Sequence, residues 1–316
     1  MELRSLRYFA KIVELGSLSR AADALYVAQP SLSHQLAMLE EEFGVRLLDR
    51  GSKGVKPTAA GLTLYRCAVS IARQVEEVRG QISAEAGSVG GAVSIGLPTS
   101  TAVVLALPLL KAVVRKYPNV CLEINENSSG LLDEWLLHGR LDMALLFRRG
   151  PVKSLRCQHL LTEEICLVRV ARAREARAPA GGADEPLPVA RLNGERVVLP
   201  SKANGLRRVI DEALALRGVR VQLVAELSML RTLREAVLGG IASTMLPMSA
   251  VAEDLRAGTL TVKRLVDPPI LRPLSLCMNT SVPLSAAGEA VYATVVETIE
   301  DLVSQGLWPG SSFPTE

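Results

Sequence analysis

Apolar residues recur at steps of three and four through the beginning of the chain, which is the spacing of one face of an α-helix. The pattern predicts three short helices with tight turns between them, over residues 3–15, 18–25 and 29–43. Gly16 stops the first helix, and Ser17 suits the N-cap of the second. Pro30 suits the first turn of the third, because the N–H that proline lacks would be unpaired there anyway. We therefore expect a small helical unit at the N-terminus.

A longer helical pattern follows, opened by Thr58 and continuing to about residue 86. Its apolar residues alternate four- and three-residue steps, which is the heptad spacing of a coiled-coil seam. The seam consists of Leu64, Ala68, Ile71, Val75, Val78 and Ile82. A seam this regular favours pairing with a second copy of the chain; the alternative is a helix packed on its own domain. We interpret residues 59–87 as a linker and dimerisation helix, after an N-terminal domain at 1–58.

The rest of the chain alternates short apolar strands with helices, which is typical of mostly parallel sheets covered by helices. Predicted strands lie at 92–97, 120–125, 141–147, 196–199, 221–226, 241–246 and 272–279. Predicted helices lie at 102–116, 130–138, 205–217, 229–238 and 285–303. The stretch 171–190 breaks this pattern and predicts a surface loop or a partly disordered segment.

Residues 92–305 are therefore predicted to form a two-lobed α/β domain. Lobe I would comprise about 92–161 and 268–305, and lobe II about 162–267. The last residues, 306–316, are rich in Gly, Pro and Ser and predict a disordered tail.

Composition narrows the class of protein. The 316 residues carry a formal net charge of only +3, so basic groups that bind nucleic acid would have to be concentrated on one face. The five cysteines are scattered, which argues against a disulfide framework or a zinc site and favours free thiols in a reducing cytoplasm. No signal peptide pattern opens the chain, and the apolar stretch 102–114 is too short to span a bilayer. We expect a cytoplasmic protein with no membrane partner.

Residues 17–36 have the layout of a helix-turn-helix, in which the second helix enters the major groove with its first residues against base edges. Small residues such as Ala21 and Ala22 let the two helices approach closely. Glutamine can bridge an adenine edge, and serine can donate or accept a hydrogen bond. The predicted base-reading side chains are Gln29, Ser31, Ser33, His34 and Gln35.

Residues 46–58 read as two short extended pieces around a glycine-containing turn, which predicts a wing beside the helix-turn-helix. Its basic residues Arg50, Lys53 and Lys56 would hold phosphates without reading the base sequence. The alternative is an ordinary solvated loop, but the position directly after a helix-turn-helix favours the wing. Double-stranded DNA is therefore the predicted partner.

The N-terminal region resembles the LysR-type transcriptional regulators. The residues that carry the resemblance include Leu6-Arg7-Tyr8-Phe9, Gly16-Ser17-Leu18-Ser19-Arg20-Ala21-Ala22, Gln29-Pro30-Ser31-Leu32-Ser33, Leu47-Leu48-Asp49-Arg50 and Pro57-Thr58-Ala59-Ala60-Gly61. Leu141-Asp142-Met143-Ala144 and Gly239-Gly240-Ile241 fit the effector domain of the same family. Within the family, residues 29–33, 126–130 and 141–144 look closest to the nitrogen assimilation control regulators.

The resemblance implies a multi-domain protein with a winged helix-turn-helix, a linker helix and two lobes like those of type 2 periplasmic binding proteins. It implies a homodimer through the linker helix, often paired into a homotetramer on promoter DNA. It also implies a small-molecule effector between the lobes, and contact with RNA polymerase if the protein is an activator.

Ligands of open α/β sheets sit beyond the carboxyl ends of strands, where helix N-termini offer unpaired N–H groups. Hydroxyl side chains follow strand 92–97 directly before a helix, and they suit an oxyanion; the alternative is simple N-capping. The predicted effector-binding residues are Thr99, Ser100, Thr101, Asn127, Ser128, Phe147, Ser201 and Lys202. Phe147 would place an apolar wall where other family members have a polar group, which leaves the effector's identity open.

Two other classes of protein compete with a regulator. A solute-binding protein would share the two lobes, but the N-terminal domain and the lack of a signal peptide count against it. An enzyme of the common classes would need a motif such as GxSxG or HExxH; the sequence has none, and its three histidines are scattered. We therefore expect no enzyme activity, no catalytic residue, no metal site and no cofactor.

Overall fold

The computed structural model describes residues 2–51, 54–84, 89–148, 150, 152–171 and 186–314. The N-terminal unit contains three helices, α1 (Leu3–Leu15), α2 (Leu18–Leu25) and α3 (Gln29–Phe43). A hairpin of two antiparallel strands follows, β1 (Leu48–Gly51) and β2 (Gly54–Pro57). The predicted helices and the predicted wing are therefore present.

Local sequence explains where these helices begin and end. Gly16 ends α1 at a φ of 60°, in the left-handed region that favours glycine. The Ser17 hydroxyl accepts a hydrogen bond from the N–H of Arg20 and so caps α2. Pro30 lies in the first turn of α3. The inner faces of the three helices enclose one core, which includes Phe9, Ile12, Ala21, Ala22, Leu32, Leu36 and Leu39.

The linker helix α4 (Ala59–Ala84) begins on the N-terminal unit. Thr58 caps it, since the Oγ1 atom accepts a hydrogen bond from the N–H of Gly61 at 3.0 Å. Leu64 and Ala68 are buried in the core of the N-terminal unit, because α4 packs against α1 over its first turns. The prediction that these two residues form part of a dimer seam is therefore wrong.

The later part of the seam has a different environment. Ile71 and Val75 are only half-buried within one chain, so they retain apolar surface for another contact. Val78 and Ile82 lie outside the described side chains. A seam that starts at Ile71 stays a prediction.

Lobe I begins with alternating strands and helices. They are β3 (Gly90–Pro98), α5 (Thr99–Lys116), β4 (Asn119–Asn127), α6 (Ser129–Leu137) and β5 (Met143–Phe147). Strand β3 pairs in parallel with both β4 and β5. The next strand, β6 (Leu155–Val170), is long and leaves lobe I for lobe II.

Lobe II continues from β6, and the chain then returns to lobe I. Its elements are β7 (Leu187–Pro188), β8 (Arg196–Pro200), α7 (Gly205–Leu216), β9 (Gln222–Leu227), α8 (Leu230–Leu238), β10 (Thr244–Pro247), α9 (Ala252–Ala257) and β11 (Leu260–Val266). The returning elements are β12 (Leu271–Asn279), α10 (Ala286–Ser304) and β13 (Ser311–Ser312). Each lobe has its own apolar core.

Strand β6 was absent from the predicted strands, and it changes the sheet. In the described part of the chain it pairs antiparallel with β10, β11, β12 and β13, so the large sheet is mixed rather than mostly parallel. Its first residues pair with β12 in lobe I, and Ile165–Val170 pair with strands of lobe II. Polar residues such as Gln158, Glu163 and Glu164 interrupt its apolar pattern, which explains why periodicity did not reveal it.

Two loop predictions need correction. The chain after α10 is ordered: Trp308 is only 2% exposed, and Ser311–Ser312 form β13, so residues 306–314 are not a disordered tail. Burial of the Trp308 indole orders this segment, although the residues around it are rich in Gly and Pro. Within the stretch 171–190, residues 172–185 lie outside the described residues, but Leu187–Pro188 form a strand and Val189 is buried.

The prediction of free thiols is wrong for one pair of cysteines. Cys157 on β6 and Cys277 on β12 are direct cross-strand neighbours, with Cα atoms 4.1 Å apart, and are joined by a disulfide. They are separated by 120 residues in sequence, so spacing gave no signal. Cys67, Cys121 and Cys166 are free.

Candidate DNA interface and interlobe cleft

The first turns of α3 present polar side chains at the surface. Gln29, Ser31 and His34 are exposed, and Ser33 is half-buried beside Gln29, whose Nε2 lies 3.4 Å from the Ser33 hydroxyl. This face has the chemistry needed to read base edges.

Gln35 was predicted to belong to the same base-reading set, but it faces the protein. Its Oε1 accepts a hydrogen bond from the Ser5 hydroxyl of α1 at 2.8 Å, and the side chain is half-buried. The bond joins residues 30 positions apart, which a helical pattern cannot show. Gln35 therefore positions α3 on α1 instead of pointing into the groove.

The turn before α3 exposes a residue that the sequence analysis did not select. Tyr26 has a φ of 55° and is 96% exposed, far more than the large hydrophobic side chains Leu3, Met38, Phe43 and Val45 of this domain, at 44–50%. A tyrosine held outward beside a recognition helix can donate a hydrogen bond to a phosphate. The only sequence signal was an aromatic residue in a turn that otherwise contains small residues.

The wing is held against the helices by backbone and carboxylate contacts. The N–H of Val55 donates to the carbonyl oxygen of Gly16 at 3.0 Å, and the Glu40 carboxylate accepts from the N–H groups of Leu47 and Leu48 at 2.8 and 3.2 Å. The wing therefore has a fixed position beside α3.

Two of the three predicted phosphate ligands can be placed on the wing. Arg50 and Lys56 are exposed, on opposite strands, with Arg50 opposite Val55 and Lys56 opposite Asp49. Lys53 lies outside the described residues. Arg50 has no carboxylate opposite it, whereas Lys56 faces Asp49, so Arg50 is the better candidate for a phosphate contact.

A cavity of about 60 Å³ lies between the lobes, and four helices begin at it: α5 and α6 from lobe I, α7 and α8 from lobe II. The predicted residues that line this interlobe cleft are Thr99, Ser100, Asn127, Ser128 and Phe147. Helix N-termini carry a partial positive charge and unpaired N–H groups, so four of them together favour an anion.

The other predicted effector residues do not reach the cleft. Thr101 is on the fully buried side of the first turn of α5, and its hydroxyl has no hydrogen-bond partner among the described residues. Ser201 and Lys202 are not among the described residues that line the cleft. The turn that contains them lies at the surface, before Asn204 caps α7. Asn204 and Gly205 line the cleft in their place.

Arg272 of β12 is a cleft residue that the sequence analysis did not select. It lines the cleft although it is only 4% exposed, and its guanidinium lies 3.6 Å from the centre of the Phe147 ring. Its Nη2 donates to the Ser100 hydroxyl at 2.7 Å. A single arginine inside an apolar strand gives no sequence signal that it faces a ligand.

The charge of Arg272 is balanced by a buried carboxylate. Its Nε and Nη2 donate to Glu163 Oε2 at 3.0 and 2.7 Å, and Glu163 is fully buried. Burial lowers the pKa of the Arg272 guanidinium, and the nearby Glu163 opposes that shift. Phe147 therefore provides the face on which a cleft arginine stacks, rather than a purely apolar wall.

Comparison with known proteins agrees with this geometry. The model of the bacterial regulatory helix-turn-helix protein, lysR family, matches residues 3–62, and the LysR substrate binding domain matches residues 86–300. The chain belongs to the LysR family. This LysR regulator is a DNA-binding transcriptional regulator with an effector-binding domain, and the names of its relatives are those of regulators rather than enzymes.

Several relatives align over nearly the whole regulator. The nitrogen assimilation regulatory protein nac of Klebsiella aerogenes is 37% identical over 95% of this chain and 95% of its own. The protein of the same name from Escherichia coli K12 is 34% identical over 96% and 97%. The resemblance to nitrogen assimilation control regulators is therefore confirmed as a sequence similarity.

Solved structures share the fold. A full-length variant of OxyR from Pseudomonas aeruginosa superimposes with a TM-score of 0.72 at 22% identity, over 100% of this chain and 99% of that one. Full-length CbnR complexed with its target DNA gives a TM-score of 0.58 at 23% identity, over 95% and 99%. No helix within the described residues of this LysR regulator is long and apolar enough to cross a membrane.

Proposed function

We propose that this LysR regulator binds promoter DNA as a homodimer or homotetramer in the cytoplasm. The observation that carries the proposal is the polar surface of α3, formed by Gln29, Ser31, Ser33 and His34 beside a wing that exposes Arg50. The α3 residues would read base edges, and Arg50, Lys53 and Lys56 would hold phosphates. If the regulator is an activator, it would also contact RNA polymerase.

Two apolar surfaces support self-association. The first is the half-buried part of the α4 seam at Ile71 and Val75. The second is a stripe along α5, where Val103, Leu107, Leu110 and Val114 are 39–59% exposed. Contiguous apolar surface of this kind favours an interface. One surface for a dimer and another between dimers would suffice for a tetramer.

We propose further that the effector is a small anion bound in the interlobe cleft. Four helix N-termini supply positive potential and Arg272 supplies guanidinium donors, and the hydroxyl of Ser128 makes no capping hydrogen bond on α6, so it is available to a ligand. The cavity of about 60 Å³ is small beside the roughly 300–1,000 Å³ of pockets for drug-sized ligands. A ligand with few heavy atoms therefore fits better than a large one.

DNA binding is tested by gel shift with the DNA upstream of the gene that encodes the chain. We expect retardation that is sequence-specific and weakens as salt rises. A protein that shifts specific and random DNA equally at every salt concentration would contradict the base-reading role of α3.

The effector site is tested by thermal shift with inorganic anions and small carboxylates. A ligand present at about 100 times its Kd should add roughly 2.7 kcal/mol to the free energy of unfolding. Ser128→Ala should weaken this effect, whereas Lys202→Ala, outside the described cleft lining, should leave it unchanged. Equal loss in both variants would indicate that the anion binds elsewhere.

A further inference from the structure

The segment after α10 folds back over the junction between the lobes. We name residues 307–313 the C-terminal strap. Its Trp308 indole is buried, and the carbonyl oxygen of Gly310 accepts from the N–H of Glu164 at 2.8 Å. Ser311 and Ser312 pair with Glu163 and Thr162, where β6 passes from lobe I to lobe II. The strap therefore covers the crossing strand.

The strap also touches lobe II. Gly310 has a φ of 73°, and a Cβ atom on it would lie 3.1 Å from the Sδ of Met248. Met248 begins the 3-10 helix that follows β10. Glycine at this position thus lets the strap approach lobe II closely while its indole remains in the core of lobe I.

Glu163 connects the strap to the interlobe cleft. Its Oε1 accepts from Trp308 Nε1 at 2.8 Å and from the Ser249 hydroxyl of lobe II at 2.7 Å. Its Oε2 accepts from Arg272, whose Nη2 also donates to Ser100 in the cleft lining. One buried carboxylate therefore joins the C-terminal strap, lobe II and the arginine of the cleft.

We propose that Trp308 is a positioning residue for the effector cleft. An anion in the cleft competes with Glu163 for the donors of Arg272. The carboxylate that Arg272 leaves behind still accepts hydrogen bonds from Trp308 and Ser249, which lowers the cost of separating it from its counter-charge. Ligand affinity then depends on an indole N–H outside the described cleft lining. This inference rests on the proposed anionic effector.

The test compares two variants of the full-length protein. Trp308→Phe keeps an aromatic ring in the core but removes the N–H that Glu163 accepts. Val295→Ala, a fully buried residue of α10 in the same core, also reduces stability but is outside the hydrogen bonds around Glu163. The probe is inorganic sulfate, titrated calorimetrically at constant ionic strength with chloride as the balancing anion.

Trp308→Phe should raise the Kd for sulfate about tenfold, because Glu163 depends more on this hydrogen bond in the ligand-bound state than in the free state, where Arg272 also donates to it. Val295→Ala should bind sulfate as the wild type does while lowering the Tm. An unchanged Kd in Trp308→Phe would overturn the proposal. So would an equal increase in both variants, because that would trace the effect to packing.

A second measurement separates this inference from the proposed function. Hydrogen exchange followed by mass spectrometry reports on the peptides 97–105 and 160–168, which contain Ser100 and Glu163. We expect faster exchange in both peptides in Trp308→Phe than in Val295→Ala. If the wild type binds no sulfate, the anionic effector is contradicted, but the exchange comparison still tests whether Trp308 positions the cleft residues through Glu163. Equal exchange in the two variants would overturn that positioning role.

Discussion

Gln29→Ala is the most direct test of how this LysR regulator reads DNA. The side chain is exposed on the first turn of α3, and its only described hydrogen bond is a long one of 3.4 Å to Ser33. Its removal should therefore leave the fold intact. A glutamine bound to an adenine edge contributes about 1–3 kcal/mol of base discrimination. A dimer has two copies, so the loss should be about 2–6 kcal/mol on a symmetric site, or roughly 30-fold to 20,000-fold in affinity.

The assay is fluorescence anisotropy at one fixed salt concentration, with the upstream DNA and a shuffled sequence of the same length. Gln29→Ala should weaken binding to the upstream DNA and leave the shuffled sequence unaffected. The matched control is Gln35→Ala, which removes the acceptor of the Ser5 hydroxyl and should cost about 0.5–1.5 kcal/mol of stability instead. If Gln29→Ala lost affinity equally for both DNAs, or if Gln35→Ala alone lost base preference, the orientation of α3 argued above would be refuted.

Three further predictions concern the wing, the linker helix and the thiols. Arg50→Ala should weaken binding to all DNA sequences alike and reduce the slope of log K against log salt by about one unit, and a change in base preference would contradict the phosphate role. Val75→Glu should break the dimer, so a light-scattering mass equal to that of the wild type would exclude the seam. Cys67 and Cys121 are exposed and should react with iodoacetamide at pH 8, whereas burial raises the pKa of the Cys166 thiol to about 12 and should keep it unreactive until the protein unfolds.

Sequence patterns predicted those parts of the molecule that depend on local chemistry. The bounds of α1, α2 and α3 follow from Gly16, Ser17 and Pro30, whose effects act within one turn of helix. The hydroxyls at the start of α5 were likewise predicted to face the cleft, and Ser100 does. Caps and turn residues act on their neighbours, so their consequences can be read from one stretch of chain.

The remaining features depend on contacts between distant positions. Arg272 and Glu163 are 109 residues apart, and nothing in either segment links the two. Trp308 lies in a stretch whose Gly and Pro content suggests disorder, and its partner Glu163 is 145 residues away. Leu64 and Ala68 fit a coiled-coil seam as well as they fit packing on α1, because both arrangements need the same apolar spacing.

The ion pair of Glu163 and Arg272 is better explained by the proposed effector site than by stability. A buried ion pair of this kind gains little over apolar side chains of similar volume, because desolvation of both charges offsets their attraction. Leaving either charge alone, by contrast, costs about 3–5 kcal/mol. The network thus specifies one arrangement of β6, β12 and α5 at the cleft. Under the proposed binding of an anionic effector, Arg272 would face the ligand and be neutralised by Glu163 when the ligand is absent.

If α3 reads base edges as proposed, the number of its outward polar side chains explains why this regulator would need more than one copy on DNA. Specific binding exceeds non-specific binding by about 4–10 kcal/mol, and a good side-chain contact to a base supplies about 1–3 kcal/mol. Only a few polar side chains at the start of α3 face outward, because Gln35 is bonded to Ser5. Serine contacts to a base lie at the lower end of the range of about 1–3 kcal/mol. The contacts of one helix therefore supply at most the lower part of this free-energy difference between specific and non-specific DNA, whereas two copies can supply all of it. The spacing of the copies then sets the spacing of the half-sites, so the linker helix, if it joins the copies as proposed, is part of the recognition of the DNA sequence.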